Sequence, residues 1–298
     1  MKVVNFFLFT FLFLFIWYTS MCKRRDIMES LYNYVLQKET HIGLLRSNQE
    51  DALLGLVHPE DDNIKLLGVA DGMGGKQYGD IAANFVLEKF GYWFLEKTKD
   101  MFYDVMKLKC EMLDLIMECN HKLLSDYGKN QVGTTLSLAL VLLDQTIILH
   151  LGDSRVYFYK NENLLQVTED DSDVWLYYKY QHIDKEWLRY FSTSNIIHNC
   201  VGVSLETCRP HIYIHPNVAY ETLLVMTDGI TDLITDSKIQ RIFREEKTKN
   251  IAKRLVHEAV FVNQNLFIPG ELKKLKLDNY TVPVQGRDNA SVVLFSKF

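Results

Sequence analysis

Hydrophobic and polar positions alternate along the chain in a way that separates strands from helices. Residues 39–58 and 64–71 are apolar-rich and divided by the turn-like Pro59-Glu60-Asp61-Asp62-Asn63, so they read as two strands. Between 79 and 97, Ala82, Ala83, Val86, Leu87, Phe90 and Phe94 recur at helical spacing. A second helical pattern runs from about Asp100 to Tyr127, with Val105, Leu113, Ile116 and Leu123 on one stripe and Gly128 as its stop. Runs at 134–143, 146–151 and 155–159 predict a meander of strands, and 223–227 a short buried strand. Helices are predicted at 237–245 and 249–262, and a closing strand from Ala290 to Phe295. Strands surround helices without regular βαβ alternation, which predicts α+β layers rather than a doubly wound sheet.

Ahead of this pattern, Val3 to Cys22 carries no charge and is rich in Phe and Leu. Its length matches a bilayer core of about 30 Å. Trp17 and Tyr18 lie near one end, and Lys23, Arg24 and Arg25 follow directly. The positive-inside bias then predicts a single-span membrane anchor at residues 1–25 with the remainder cytoplasmic. A cleaved signal peptide would carry its charge before the apolar run instead. Translation from Met21 or Met28 would give a cytosolic protein without the segment.

Composition narrows the function classes. The 298 residues carry 33 Lys+Arg against 38 Asp+Glu, a net charge of −5, with 48% hydrophobic and 24% charged residues. That is globular, and long enough to bury a large core. A mildly acidic chain without a basic block does not suit nucleic acid. Five scattered cysteines, none in a CxxC pair, exclude a disulfide scaffold and a thiolate zinc site.

The chemistry lies in where aspartates fall. Asp71 closes the run Leu66 to Ala70 and precedes Gly72; Asp153 closes Ile147 to Gly152; Asp228 closes Leu223 to Thr227 and precedes Gly229; Asp288 opens the final strand; Asp51 follows Ser47-Asn48-Gln49-Glu50. Buried strands there deliver carboxylates to a sheet edge, where a charge is costly unless paired or metal-bound. Several aspartate oxygens without Cys or His partners select Mg²⁺ or Mn²⁺.

These residues stand in stretches that resemble the metal-dependent serine/threonine phosphatases of the PPM class (type 2C), in their bacterial form. The resembling segments are Gly43 to Asp51, Gly68 to Gly75, Gly133-Thr134-Thr135-Leu136, Gly152 to Arg155, Thr227-Asp228-Gly229 and Asp288-Asn289, in the family's order over residues 39–298. The resemblance implies a catalytic domain there: a four-layer α/β/β/α sandwich of two antiparallel sheets, with the metals at one end. It implies a dinuclear Mn²⁺ or Mg²⁺ centre with a metal-bridging hydroxide as nucleophile. Asp71 would bridge both ions, with the Gly72 carbonyl, Asp228 and Asp288 on one. Asp51 and Glu50 would lie at the other, Asn289 beside them, and Asp153 would bind a third, weaker ion. Arg46 matches the phosphate-binding arginine. The substrates implied are phosphoserine and phosphothreonine proteins, in opposition to a eukaryotic-type kinase. A pseudophosphatase or phospho-switch module binding a phosphoprotein is the alternative.

The sequence departs from the family in places. Met73 stands where eukaryotic members have His, Lys76 where bacterial relatives usually have His, and Asp171-Ser172 replaces His-Ser. Residues 168–222 correspond to the family's flap; their aromatics, among them Trp175, Tyr177 and Phe191, would form a small satellite core or grip a peptide. Residues 263–285 read as an insertion, a solvated loop carrying Lys273, Lys274 and Lys276. His150, in an apolar strand, reads as a hydrogen-bonded core residue.

Overall fold

The computed structural model describes residues 34–73, 78–246, 250–264, 266–275 and 279–297. Two antiparallel sheets carry the architecture. One runs in the order β1 (Tyr34–His41), β11 (Ala290–Lys297), β10 (Thr222–Met226), β7 (Arg155–Lys160), β8 (Asn163–Gln166). The other runs β2 (Asp51–Val57), β3 (Lys65–Met73), β5 (Leu136–Val141), β6 (Gln145–Leu151), β9 (His211–Pro216), with the short β4 (Gly133–Thr134) on β3.

The strands read as unbroken apolar runs because both faces are covered. On β3, Leu67 and Val69 point between the sheets, while Leu66 and Ala70 point outward. On β10, Leu223 and Val225 face the other sheet, and Leu224 and Met226 face away. The period of two thus feeds a central core and two outer cores. Helices α1 (Gly79–Leu95) and α2 (Val105–Tyr127) cover the β2–β9 sheet through Val86, Phe90, Phe94, Met112 and Ile116. Helices α5 (Asp236–Glu246) and α6 (Ile251–Phe261) cover the other through Ile239, Ile242, Leu255 and Ala259. This is the expected four-layer sandwich.

Local chemistry sets the breaks. The predicted strand 39–58 is two strands in different sheets, split by a loop at residues 42–50. At Gly43, φ is +86° and a Cβ would lie 2.4 Å from the Asp288 carbonyl oxygen, so only glycine fits the turn. The predicted helix 100–127 is a 3₁₀ turn followed by α2, whose start Asp104 fixes by accepting from the Lys107 N–H at 3.0 Å. Helix α3 (Asp173–Gln181), α7 (Gly270–Leu275) and strands β8 and β9 were not foreseen. Between β10 and α5, Asp228–Thr231 forms the single-turn α4.

The expected membrane anchor is corrected. Among the described residues no helix is long and apolar enough to cross a membrane. The 23-residue α2 is long enough but amphipathic, with Lys107, Lys109, Asp114 and Glu118 along it. Residues 1–25, on which that expectation rested, lie outside the described residues, as does Lys76.

Candidate active site

Both sheets end at the same pole, and each delivers carboxylates there. Asp51 begins β2 and stands directly opposite Asp71 in the ladder to β3. Like charges facing across strands destabilise a sheet unless something neutralises them. Asp228 and Asp288-Asn289 sit at the adjoining ends of β10 and β11, and Asp153 in the turn from β6 to β7.

Hydrogen bonds hold this end. The Asp71 N–H donates to Thr135 Oγ1 at 2.9 Å, and Thr134 Oγ1 donates to the Asp71 carbonyl at 3.0 Å. Thr135 Oγ1 also pairs with Ser154 Oγ at 2.8 Å, tying the Gly133-Thr134-Thr135 and Gly152-Asp153-Ser154 motifs together. Thr227 Oγ1 donates to Asp51 Oδ2 at 2.9 Å, linking the two sheets. Asn289 is a brace: its Oδ1 accepts from the Glu50 N–H at 2.7 Å, and its Nδ2 donates to the Ile42 and Asn48 carbonyls at 2.8 and 3.1 Å. It thereby fixes the loop that presents Arg46. The Asn289 carbonyl runs so close to Gly229 that a Cβ there would sit 1.8 Å from its oxygen, which explains the glycine after Asp228.

The electrostatics show that these groups converge. Burial pushes Asp71 well above the usual carboxylate range, and Asp51, Asp288 and Asp153 push it further. Burial does the same to Asp228, reinforced by Asp71, Asp153, Asp232 and Asp288. Burial carries Asp51 up to about 7 against the hydrogen bonds of Ser291 and Thr227, and carries Asp153, beside Asp170 and Asp232, to about 7. Asp51 Oδ1 and Asp228 Oδ1 are buried without a hydrogen-bond partner. Arg46 answers part of the charge, with Nη2 at 2.7 Å from Asp288 Oδ2 and Nη1 at 3.7 Å from Glu50 Oε2. Its side chain remains 44% exposed. Among the described residues no three His, Cys, Asp or Glu side chains are drawn up around one point as a finished metal cage. Uncompensated carboxylates repel, and Asp288 is held by Arg46.

Sequence reasoning missed a second set of charges. Asp232 follows Asp228 by one helical turn, and its N–H donates to the Asp228 carbonyl at 2.8 Å. That i, i+4 spacing in Asp228-Gly229-Ile230-Thr231-Asp232 was the available signal. Burial raises Asp232 to about 6. Asp170 receives Arg155 in a buried bidentate pair, Nε to Oδ1 at 2.9 Å and Nη2 to Oδ2 at 2.6 Å. Asp171, where the family has His, accepts from the Gly152 N–H at 3.0 Å and from Asn199 Nδ2 at 2.7 Å, and braces the turn that carries Asp153. His150 is the hydrogen-bonded core residue expected, between Ser137 Oγ and the Glu169 carbonyl, each at 2.9 Å.

A cleft of about 310 Å³ opens over Arg46, Asp228 and Asp288. A larger one, about 710 Å³, lies near the opposite ends of the strands, lined by Lys65, Lys160 and Lys297, and holds none of these aspartates.

Residues 45–260 match the family described as protein phosphatase 2C, more than two-thirds of the chain. The chain belongs to the protein phosphatase 2C family. It is thus a phosphoprotein phosphatase. The chain is similar to the serine/threonine phosphatase stp of Listeria monocytogenes, with 29% identity over 254 residues, 84% of this chain and 94% of that protein. Among solved structures, Stp1 of Staphylococcus aureus superposes with a TM-score of 0.67 at 25% identity, covering 88% of this chain and 94% of that one. The catalytic domain of the phosphatase PstP, solved in complex with two manganese ions, superposes with a TM-score of 0.66 at 21% identity, covering 88% and 97%. At that identity the likeness concerns the fold.

Proposed function

We propose that this phosphatase 2C chain hydrolyses phosphoserine and phosphothreonine on proteins, using two Mn²⁺ or Mg²⁺ ions held by Asp51, Asp71, the Gly72 carbonyl, Asp228 and Asp288. The observation that carries this reading is the pair of orphaned, buried oxygens, Asp51 Oδ1 and Asp228 Oδ1, within a set of aspartates in which Asp51, Asp153 and Asp288 raise the pKa of Asp71 and Asp71, Asp153 and Asp288 raise that of Asp228. All donors are oxygens, which suits hard divalent cations. Asp71, which feels Asp51, Asp228, Asp288 and Asp153 together, is assigned to both ions. Asp153, beside Asp170 and Asp232, is assigned to a third, weaker ion.

When bound, such a pair of cations supplies an acidified water and neutralises charge on the phosphoryl oxygens. The chain's own groups do the rest. Arg46, half-exposed at the cleft, exchanges Asp288 for two phosphoryl oxygens, and its planar fork holds them bidentately. Glu50 is the carboxylate nearest its other nitrogen, and keeps the guanidinium aimed at the cleft. Asn289 keeps the Arg46 loop in register with β2. Met73, in place of a histidine, offers no proton, so the leaving alkoxide takes one from solvent. A Ser/Thr kinase that phosphorylates the same substrates is the natural counterpart.

Turnover of a phosphothreonine peptide tests this reading. EDTA should silence the protein, Mn²⁺ should restore it, and Asp71→Asn should abolish turnover while the protein stays folded. Near-normal kcat in Asp71→Asn, or turnover by the metal-free protein, would overturn it.

A further inference from the structure

The segment from 263 to 285 is not a free loop in its described parts. Leu272 is fully buried in a satellite core with Val174, Trp175, Leu188 and Phe191. Farther along, the segment pairs with the flap. The Ser192 N–H donates to the Asn279 carbonyl at 2.8 Å, and the Thr281 N–H to the Tyr190 carbonyl at 2.8 Å. The Phe191 and Tyr280 rings meet edge-on between them, with centroids 5.2 Å apart. Its far end is tied to the Arg46 loop, where the Leu44 N–H donates to the Gly286 carbonyl at 2.6 Å. Residues 279–287 therefore run as a strap from the flap to the phosphate-binding loop and lead directly into Asp288. Thr281, Pro283, Val284 and Arg287 face the same cleft as Arg46 and Asp288.

The cations in that cleft are not equivalent. Arg46 is engaged with Asp288 at 2.7 Å. Arg189 is buried, with Nη1 donating to the Asp232 carbonyl at 3.1 Å and Nε to the Glu186 carbonyl at 3.0 Å. Arg287 is exposed, and among the described residues no carboxylate lies within ion-pair distance of it. Its backbone is fixed by the N–H bond to the Val284 carbonyl at 3.1 Å. The strap thus holds an unengaged guanidinium beside the phosphate-binding arginine.

We propose that residues 279–287 form the specificity wall of the active site, and that Arg287 selects phosphoproteins carrying an acidic side chain close to the phosphorylated residue. This rests on the phosphatase reading above. An extended substrate advances about 3.3 Å per residue, so a carboxylate one to three residues from the phosphate lies roughly 3–10 Å along the chain from it, and Arg287 lines the same cleft as Arg46. Pro283 and Val284 give the wall an apolar stretch against which the intervening chain lies. Lys273 and Lys274, the cations the sequence drew attention to, sit on α7 and do not line this cleft.

The test compares three phosphothreonine peptides that differ only in one neighbouring residue, Asp, Gly or Lys. Wild type, Arg287→Ala and Arg287→Glu are assayed in Mn²⁺ for kcat/KM. Kd is measured in parallel by fluorescence anisotropy with non-hydrolysable phosphonate versions. Wild type should favour the Asp peptide over the Gly peptide by about two- to five-fold, mostly in KM and in Kd, the range of an exposed ion pair. The preference should fade at high salt. Arg287→Ala should erase it, and Arg287→Glu should turn it towards the Lys peptide. A wild type indifferent to the neighbour, or a preference that survives both substitutions, would overturn the assignment of Arg287. Loss of all turnover would instead sink the phosphatase reading, and the Kd values would still decide the role of Arg287. Arg287 is exposed, so both variants are expected to fold.

Discussion

Asp51→Asn should stabilise the metal-free protein, and by more at high pH than at low. Asp51 is buried at the start of β2, accepts from Thr227 Oγ1 at its Oδ2 and leaves Oδ1 without a partner. Its pKa rises from 3.8 in the unfolded chain to about 7 in the fold, chiefly because burial disfavours the anion. A raised carboxylate contributes stability that is fully present below 3.8 and is lost as pH rises through about 7. Each pKa unit corresponds to about 1.4 kcal/mol. The loss relative to a permanently neutral side chain is therefore roughly 1–2 kcal/mol near pH 5 and about 4 kcal/mol above pH 7. Asparagine keeps an acceptor for Thr227 and carries no charge. In EDTA, the Tm advantage of Asp51→Asn over wild type should grow by roughly 5–10 °C between pH 5 and pH 8, at about 2–4 °C per kcal/mol for a domain of this size. In saturating Mn²⁺ the order should reverse, since wild type gains more from binding the ions. Differential scanning calorimetry of both proteins at both pH values decides it. A difference independent of pH, or an Asp51→Asn protein less stable than wild type at pH 8 in EDTA, would refute the reasoning.

Two further outcomes are expected. Arg46→Ala should raise KM for phosphopeptides more than it lowers kcat, because the guanidinium binds oxygens already charged in the ground state; steady-state kinetics showing a large fall in kcat at constant KM would contradict this. Leu272→Ala should cost about 2–5 kcal/mol where α7 meets the flap, read as faster proteolysis within 263–285 and a raised KM for peptides with little change for a small phosphate ester. Resistance to protease equal to that of wild type would show that the buried leucine does not hold the strap.

How much was legible in the sequence follows from how local each signal is. The aspartates at 71, 228 and 288 announced themselves because each borders a run of apolar residues, and that contrast needs no tertiary knowledge. The long helices α1, α5 and α6 were legible for the same reason, since their apolar stripes recur every third or fourth residue. The break between β1 and β2 was not. Residues on both sides are apolar enough to read as one strand, and what separates them is the close approach of Gly43 to Asp288, some 245 positions away in the chain. Strand β9 was hidden by its mixed polar pattern and the proline at its end. Asp170 and Asp171 look alike in the sequence, yet one receives Arg155 and the other ties the Asp153 turn to Asn199. The strap at 279–287 was obscured by its lysine-rich approach, and because its hydrogen bonds to the flap run between backbone atoms, which leave no mark on the sequence.

The place of β11 within its sheet bears on how the protein is made. β11 follows every other described strand in the chain, yet it lies between β1 and β10, with Tyr34 registered against Lys297 and Thr222 against Ser296. A ribosome releases β1 long before its neighbour exists. Until then the two strands that will flank β11 present open edges, the feature through which strands from separate chains join. The emerging polypeptide would therefore depend on chaperones or on rapid completion to stay unaggregated, and its sheet must close late, through contacts of very high sequence separation. Asp288 and Asn289 arrive with that same strand. A chain synthesised only as far as β10 lacks one proposed ligand and the brace of the Arg46 loop, so the site and its sheet are completed together when β11 arrives.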